Sequence, residues 1–453
     1  MKLILARSLA DRGFQVDYVG WRTEGTLASR FPSNVRVVKL CAPNILFRLL
    51  GLVRYLKHAR PAAILSSEDI ANLCTVARNI ARVQTRVIAI AHIPYSYEFQ
   101  YRRAKVRLLG PFLVRKVLSK ADTIVAVSQG VADDLSTLTE PESNIVTIHN
   151  PIDSNEVQAL GSQPLDHPWF APGQPPVILG VGRLQQAKDF PTLIRAFQVV
   201  RQNSNSRLMI LGEGSERAGL ECLVENLGLQ GEVEMPGFKD NPYAYLSRSA
   251  VFVLSSVVEG FGRVLVEALA LGIPVVSTDC PSGPSEILER GAFGRLVPVG
   301  DADALAAAIL ETMAEDGRAD ELRARARDFS VDAPVDRYLE VMGLNNHLAA
   351  RLSLKESHGT AVPQPESGHV ELRSSGSPLR LIPLDRTGVC GARRGALSQR
   401  EKVTGRDFDR QIGLTKRGDR YADCRIRTGF AFDRHSRYAA GDRKWSSGES
   451  RIG

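Results

Sequence analysis

Between Val177 and Val297 the chain carries six short apolar runs: Val177-Ile-Leu-Gly-Val-Gly182, Arg207-Leu-Met-Ile-Leu211, Glu232-Val-Glu-Met235, Val251-Phe-Val-Leu254, Ile273-Pro-Val-Val-Ser277 and Gly294-Arg-Leu-Val297. Most are continuously apolar, as a strand buried on both faces must be. Helical patterns of roughly ten to fifteen residues lie between them, and that alternation builds a parallel sheet covered on both sides. The same pattern fills the start of the chain, at Phe14–Val19, Ala62–Ser66, Arg86–Ala91, Thr123–Val127 and Ile145–His149. A stretch rich in proline, glycine and polar residues, Pro151 to Pro176, separates the two series and reads as an interdomain linker. The expected class is α/β, with two Rossmann-like halves.

The resulting divisions are a first half at 1–155, a linker at 156–176, a second half at 177–315, closing helices at 316–344 and a tail at 345–453. Phe329-Ser-Val-Asp332 opens a last helix through Val341, expected to fold back across the halves. An apolar content of 43% in 453 residues is ample for two cores. The net charge of +8 is concentrated in the tail: from Arg351 onward 21 Lys and Arg stand against 12 Asp and Glu, leaving 37 against 38 before it. The folded part is nearly neutral, so the basicity does not indicate a nucleic-acid partner. The tail is rich in Arg, Gly and Ser and cannot bury enough apolar surface to offset its ordering entropy, so a disordered extension is expected there. Six scattered cysteines with no Cys-x-x-Cys indicate neither a disulfide framework nor a zinc site and suit a reducing compartment. No stretch reaches the roughly 18 apolar residues that span a bilayer.

Ligands of open parallel sheets bind beyond the carboxyl ends of the strands. In the second half those ends carry Arg183 with Lys188 five residues on, Gly212-Glu-Gly214, Pro236-Gly-Phe238, and Glu259-Gly-Phe-Gly-Arg-Val-Leu-Val-Glu267. The last is a glycine-bearing loop running into a helix, which points unpaired N–H groups and the positive end of a dipole at an anion. Arg183 and Lys188 on the same rim form a diphosphate clamp, the guanidinium planar and the ammonium a point charge. Glu259 lies in the loop and Glu267 a turn into the helix, each able to accept hydrogen bonds from hydroxyl groups.

Gly182-Arg-Leu-x-x-x-Lys188 with Asp189-Phe-x-x-Leu-Ile-x-Ala-Phe197, then Leu211-Gly-Glu-Gly214, then Glu259-Gly-Phe-Gly-x-Val-Leu-x-Glu267 continuing to Val-Val-Ser277, resembles the nucleotide-sugar half of retaining glycosyltransferase family 4. The resemblance covers residues 177–315 and implies the GT-B fold, two Rossmann-like halves facing a cleft. The run Thr278-Asp-Cys-Pro-Ser-Gly-Pro-Ser-Glu286-Ile-Leu288 further resembles a branch that builds bacterial lipopolysaccharide and exopolysaccharide.

The resemblance implies that Arg183 and Lys188 hold the diphosphate and Glu259 contacts the transferred sugar. The helix start from Gly260 and Phe261 through Gly262, Arg263, Val264 and Leu265 would offer backbone N–H groups to the donor. Glu267 would take the ribose, and Gly237 and Phe238 would line the base. In the first half, His92 follows the strand Arg86–Ala91 where the family places a histidine beside the transferred sugar; Ser128 and Asn150 are lesser candidates. The implied reaction moves a sugar from a UDP- or GDP-sugar to a saccharide or lipid-linked acceptor with retention, using protein cations rather than a metal or other cofactor to stabilise the leaving diphosphate. A glycosidase with paired carboxylates would have no use for a diphosphate clamp.

Two stretches of the first half mix leucines with cations: Ile45–Lys57 reads equally as a membrane-surface helix or as a core-facing helix with solvated cations, and Arg102–Lys116 reads as a membrane-surface binder. They suit a cytoplasmic enzyme peripheral to the inner membrane. The family's opening strand and glycine-rich loop do not precede the first helix at Met1–Gly13, so the central strand of the first sheet is expected to be wanting, through an upstream start or a damaged copy. The alternative to an active enzyme is a remnant that binds a nucleotide sugar without transferring it.

Overall fold

A computed structural model describes residues 1–20, 31–40, 44–100, 114–116, 118–315 and 317–345. The first half runs α1 (Lys2–Asp11), β1 (Val16–Gly20), β2 (Val35–Lys39), α2 (Ile45–Ala59), β3 (Ala63–Ser67), α3 (Glu68–Ala81), β4 (Arg86–Ala91), α4 (Tyr95–Gln100), β5 (Thr123–Ala126), α5 (Gln129–Leu138) and β6 (Ile145–Thr147). Its strands form a parallel pair, β1 with β2, and a four-stranded parallel sheet in the order β3-β4-β5-β6. The division falls between β1 and β3. Their side chains nonetheless share two apolar layers: Val16, Tyr18, Ala63 and Leu65 on one face, Val19 and Ile64 on the other with α2 and α3. Strand β2 escapes the reading of the sequence, because Val35-Arg-Val-Val-Lys39 is exposed over much of its length and lacks a continuous apolar run.

The start of the segment expected to be a linker forms a packed helix. Helix α6 (Ser154–Gly161) begins at Asp153, whose carboxylate accepts from the Glu156 N–H at 3.0 Å, and it buries Val157. Its Gln158 amide donates to the Ala270 carbonyl at 2.9 Å.

The second half runs β7 (Val177–Val181), α7 (Phe190–Asn203), β8 (Arg207–Leu211), α8 (Arg217–Asn226), β9 (Val233–Gly237), β10 (Val251–Leu254), α9 (Arg263–Leu271), β11 (Val275–Thr278), β12 (Arg295–Val297), α10 (Ala302–Ala314) and α11 (Ala319–Arg327). All six strands are parallel, in the order β12-β11-β10-β7-β8-β9. Chain direction across the sheet therefore reverses between β7 and β10, and such a reversal opens a crevice beyond the strand ends where ligands bind. Helices α7 and α10 cover one face with Leu193, Phe197, Leu305 and Ile309, all fully buried. Phe197→Ala is expected to destabilise this half by about 3–5 kcal/mol, the usual cost of truncating a core aromatic, read as a lower urea midpoint.

Helix α12 (Asp332–Met342) returns to the first half, as the sequence led us to expect. Arg12 of α1 pairs with its Asp332 at 3.0 Å and with Asp336, and Arg86 donates to the Val341 carbonyl at 3.2 Å. One apolar cluster runs from Leu5 in α1 to Leu344 and joins both halves.

Candidate active site

The loops after β7 and β10 meet at the reversal of strand order, and their backbones are tied together before any ligand arrives. Val257 N–H donates to the Ala187 carbonyl at 2.9 Å, and Ser255 Oγ donates to the Lys188 carbonyl at 2.8 Å. These bonds fix Lys188 opposite Glu259, and the two side chains form an ion pair. Ser256 Oγ donates to the same Glu259 oxygen at 2.6 Å. Only 11% of the Glu259 side chain and 25% of the Lys188 side chain remain exposed, so the pair is poorly screened by water. The residues that the resemblance assigns to diphosphate and sugar are therefore each other's partners here.

Gly262 sits at φ +84°, a left-handed conformation that starts α9 at Arg263. Arg263 and Glu267 pair one turn apart at 3.3 Å, and the Tyr243 hydroxyl donates to Glu267 at 3.4 Å. Burial, then the Glu267 charge, drive the Tyr243 phenol well above its ordinary range, so it stays a donor. With both carboxylates neutralised by cations, Arg183 is left over: it is exposed and its side chain has no hydrogen-bond or ion-pair partner among the described residues. The rim thus carries one uncompensated positive charge and is suited to an anion.

At the first turn of α9 the N–H groups of Phe261, Gly262, Arg263 and Val264 have no acceptor among the described residues. Leu265 departs from the expectation. Its N–H is taken by the Gly262 carbonyl at 2.9 Å and its side chain is fully buried, so it has nothing to offer a ligand. The Phe261 ring is likewise turned away, stacked on His149 at 5.3 Å, which leaves only its backbone for the cleft. Phe238 is 70% exposed and follows Gly237, itself at φ +85°, so a flat apolar ring stands at the end of β9.

The first half closes the cleft opposite Gly260. A Cβ on Gly260 would overlap the His92 carbonyl oxygen, so the strand end of β4 and the sugar-side loop are in contact. Ser128 Oγ donates to the Gly260 carbonyl at 2.6 Å. Asn150 is buried, its Oδ1 without a partner among the described residues. Ser256 and Tyr243 were not legible in the sequence, since single polar residues near strand ends read as loop, and Cys280, which lies within the Thr278–Leu288 run, is buried beside Glu259. Burial, and then the Glu259 charge, push the Cys280 thiol up to about 12.

Two doubly wound parallel-sheet halves with a cation-rimmed cleft define a two-domain α/β protein of the Rossmann-like kind. Sequence models agree, "Glycosyltransferase Family 4" matching residues 3–156 and "Glycosyl transferases group 1" residues 164–329. The lipopolysaccharide core biosynthesis glycosyltransferase LpsE of Rhizobium meliloti is 32% identical over 58% of this chain and 78% of its own. A Campylobacter jejuni protein, N-acetylgalactosamine-N,N'-diacetylbacillosaminyl-diphospho-undecaprenol 4-alpha-N-acetylgalactosaminyltransferase, is 35% identical over 47% of this chain, but the match spans only 56% of that protein. Among solved structures, Anabaena HepE in complex with UDP and glucose superposes with a TM-score of 0.56 at 22% identity, over 78% of this chain and 95% of that one, which shows the shared fold. The chain belongs to the group 1/family 4 glycosyltransferases and has their GT-B fold.

Proposed function

We propose that this protein transfers a sugar, with retention, from a nucleoside diphosphate sugar to a saccharide or lipid-linked acceptor of the bacterial envelope. The observation that carries this reading is the Lys188–Glu259 pair at the β7/β10 reversal. A donor diphosphate takes Lys188 and Arg183 from one side. Glu259, released from Lys188 but still held by Ser256, accepts from the sugar hydroxyls, and the open N–H groups of the α9 first turn face the same space. Protein cations and the helix dipole then stabilise the departing diphosphate, the term expected to dominate catalysis, without a metal in the site. Relatives named for lipopolysaccharide core and undecaprenol-linked sugars support the acceptor class.

Glu267 takes the ribose in this reading. Glu267→Ala is expected to weaken UDP binding by about 1.5–3 kcal/mol, the worth of hydrogen bonds to a charged group, measured by calorimetry.

On the acceptor side this reading sets the enzyme against a lipid surface, and the composition of α2 supports it. Along α2 the outward face presents Leu46, Phe47 and Leu50 and then Arg54 and Lys57, all exposed, and Ile45–Arg60 contains no acid. An apolar turn followed by cations fits an anionic bilayer surface. Most of the second stretch, from Arg102, lies outside the described residues, and Arg115 pairs with Glu140 at 2.7 Å. No helix among the described residues is long and apolar enough to cross a membrane. Leu46→Ser with Phe47→Ser is expected to abolish flotation with anionic vesicles and leave UDP binding intact.

The reading is tested by turnover of a panel of UDP- and GDP-sugars with bacterial membranes as acceptor. Release of the nucleotide with a new glycosidic product of retained configuration supports it. Binding of UDP with no turnover of any donor would leave only the nucleotide-sugar-binding remnant.

A further inference from the structure

The contacts across the cleft converge on a carboxylate that donor binding leaves without a role. Glu286 lies in the one-turn helix Pro284–Ile287 of the second half. Its Oε2 accepts from the Gln129 N–H at 2.8 Å and its Oε1 from the Gly130 N–H at 3.0 Å, both at the start of α5 in the first half. The His149 Nε2 is 3.2 Å from Oε2. The next N–H of that helix, on Val131, is taken by Ser128 Oγ at 3.3 Å, and the Ser128 hydroxyl donates to Gly260. His149 stacks on Phe261, the neighbour of Gly260. One continuous set of contacts thus links Glu286, the positive end of α5, His149 and the donor loop.

The packing leaves little room for another arrangement. A Cβ on Gly130 would lie 2.8 Å from the Ser282 Cα, so the first turn of α5 is pressed against the loop that carries Glu286. Burial opposes ionisation of Glu286, but the His149 ring and the two backbone N–H groups outweigh it and hold the carboxyl below its ordinary range. The contact is therefore charge-assisted and stronger than a neutral hydrogen bond.

We propose that Glu286 is a positioning residue, a latch by which the second half grips the start of α5 and holds His92 and Gly260 in register across the cleft. Its effect on turnover rests on the donor reading above; its effect on closure does not. The nucleotide contacts lie in the second half alone, so the latch acts on the rate of transfer and not on nucleotide affinity.

Glu286→Gln, which preserves shape, and Glu286→Ala are compared with the wild type as full-length proteins by amide hydrogen exchange, UDP titration and turnover. The amides of Gln129, Gly130 and the Gly260–Phe261 segment are expected to exchange at least tenfold faster in Glu286→Ala and less so in Glu286→Gln, with β7 and β10 unchanged. Turnover is expected to fall at least tenfold and UDP affinity to change less than threefold. His149→Gln is expected to reproduce part of both effects. Unchanged exchange at the start of α5, a uniform rise across both halves, turnover equal to wild type, or a loss of UDP affinity in step with turnover would each overturn the proposal. Should the wild type turn over no nucleotide sugar, the donor reading fails, and the exchange comparison still decides whether the latch exists.

Discussion

Glu259→Gln is expected to slow sugar transfer by about 10²–10³-fold, the usual loss when one preorganised polar group is removed from a water-poor site, and yet to bind UDP more tightly than the wild type. The two signs follow from the pair with Lys188. Glutamine keeps the size of the side chain and can still accept from Ser256 through its carbonyl oxygen. It cannot neutralise Lys188, whose ammonium is then free for the diphosphate without first being parted from a carboxylate. Product nucleotide, which has no sugar for Glu259 to hold, gains a few-fold in affinity, whereas the reacting complex loses its sugar contact. Steady-state turnover and calorimetric titration of UDP measure the two effects separately. A parallel loss of both would mean that Glu259 supports the fold of the loop rather than the sugar.

Gly260→Ala is expected to abolish measurable transfer while leaving UDP binding within a few-fold. The added methyl would occupy the place of the His92 carbonyl oxygen, which is backbone and cannot swing aside as a flexible side chain could. Either the halves separate at this point or the α9 loop shifts, and a displacement of about 1 Å can cost on the order of 10²-fold in rate. The Ser128 bond to the Gly260 carbonyl would be strained at the same time. Because Lys188, Arg183 and Glu267 all belong to the second half, the nucleotide has no reason to leave. Transfer near the wild-type rate in this variant would show that the contact between Gly260 and His92 is not kept during turnover.

The architecture was legible because parallel strands buried on both faces are written as continuous apolar runs. Arg86–Ala91, Arg207–Leu211 and Val251–Leu254 have the same bounds in the structure as in the sequence reading. Where the environment differs, legibility fails. The mostly exposed β2 has no such run, and α6 was hidden by the surrounding prolines and glycines although Asp153 with Glu156 three residues later is a helix-start signature. In the site, the charged rim could be found because each member follows a strand, at the carboxyl end where ligands of such sheets bind. What the rim does internally could not. Lys188 and Glu259 are separated by 71 residues and Gln129 and Glu286 by 157, and nothing local in the chain records that these side chains meet. Leu265 shows the converse: it stands inside the motif, but its N–H and side chain are both committed to the fold.

The claim that Lys188 in this cleft holds the donor diphosphate is tested most directly by titrating UDP and GDP into the wild type, Lys188→Ala and Glu259→Gln. Binding of one nucleotide to the wild type, weakened at least tenfold in Lys188→Ala and tightened in Glu259→Gln, is the expected result. Equal affinity in all three proteins, or no binding of either nucleotide to the wild type, would contradict it.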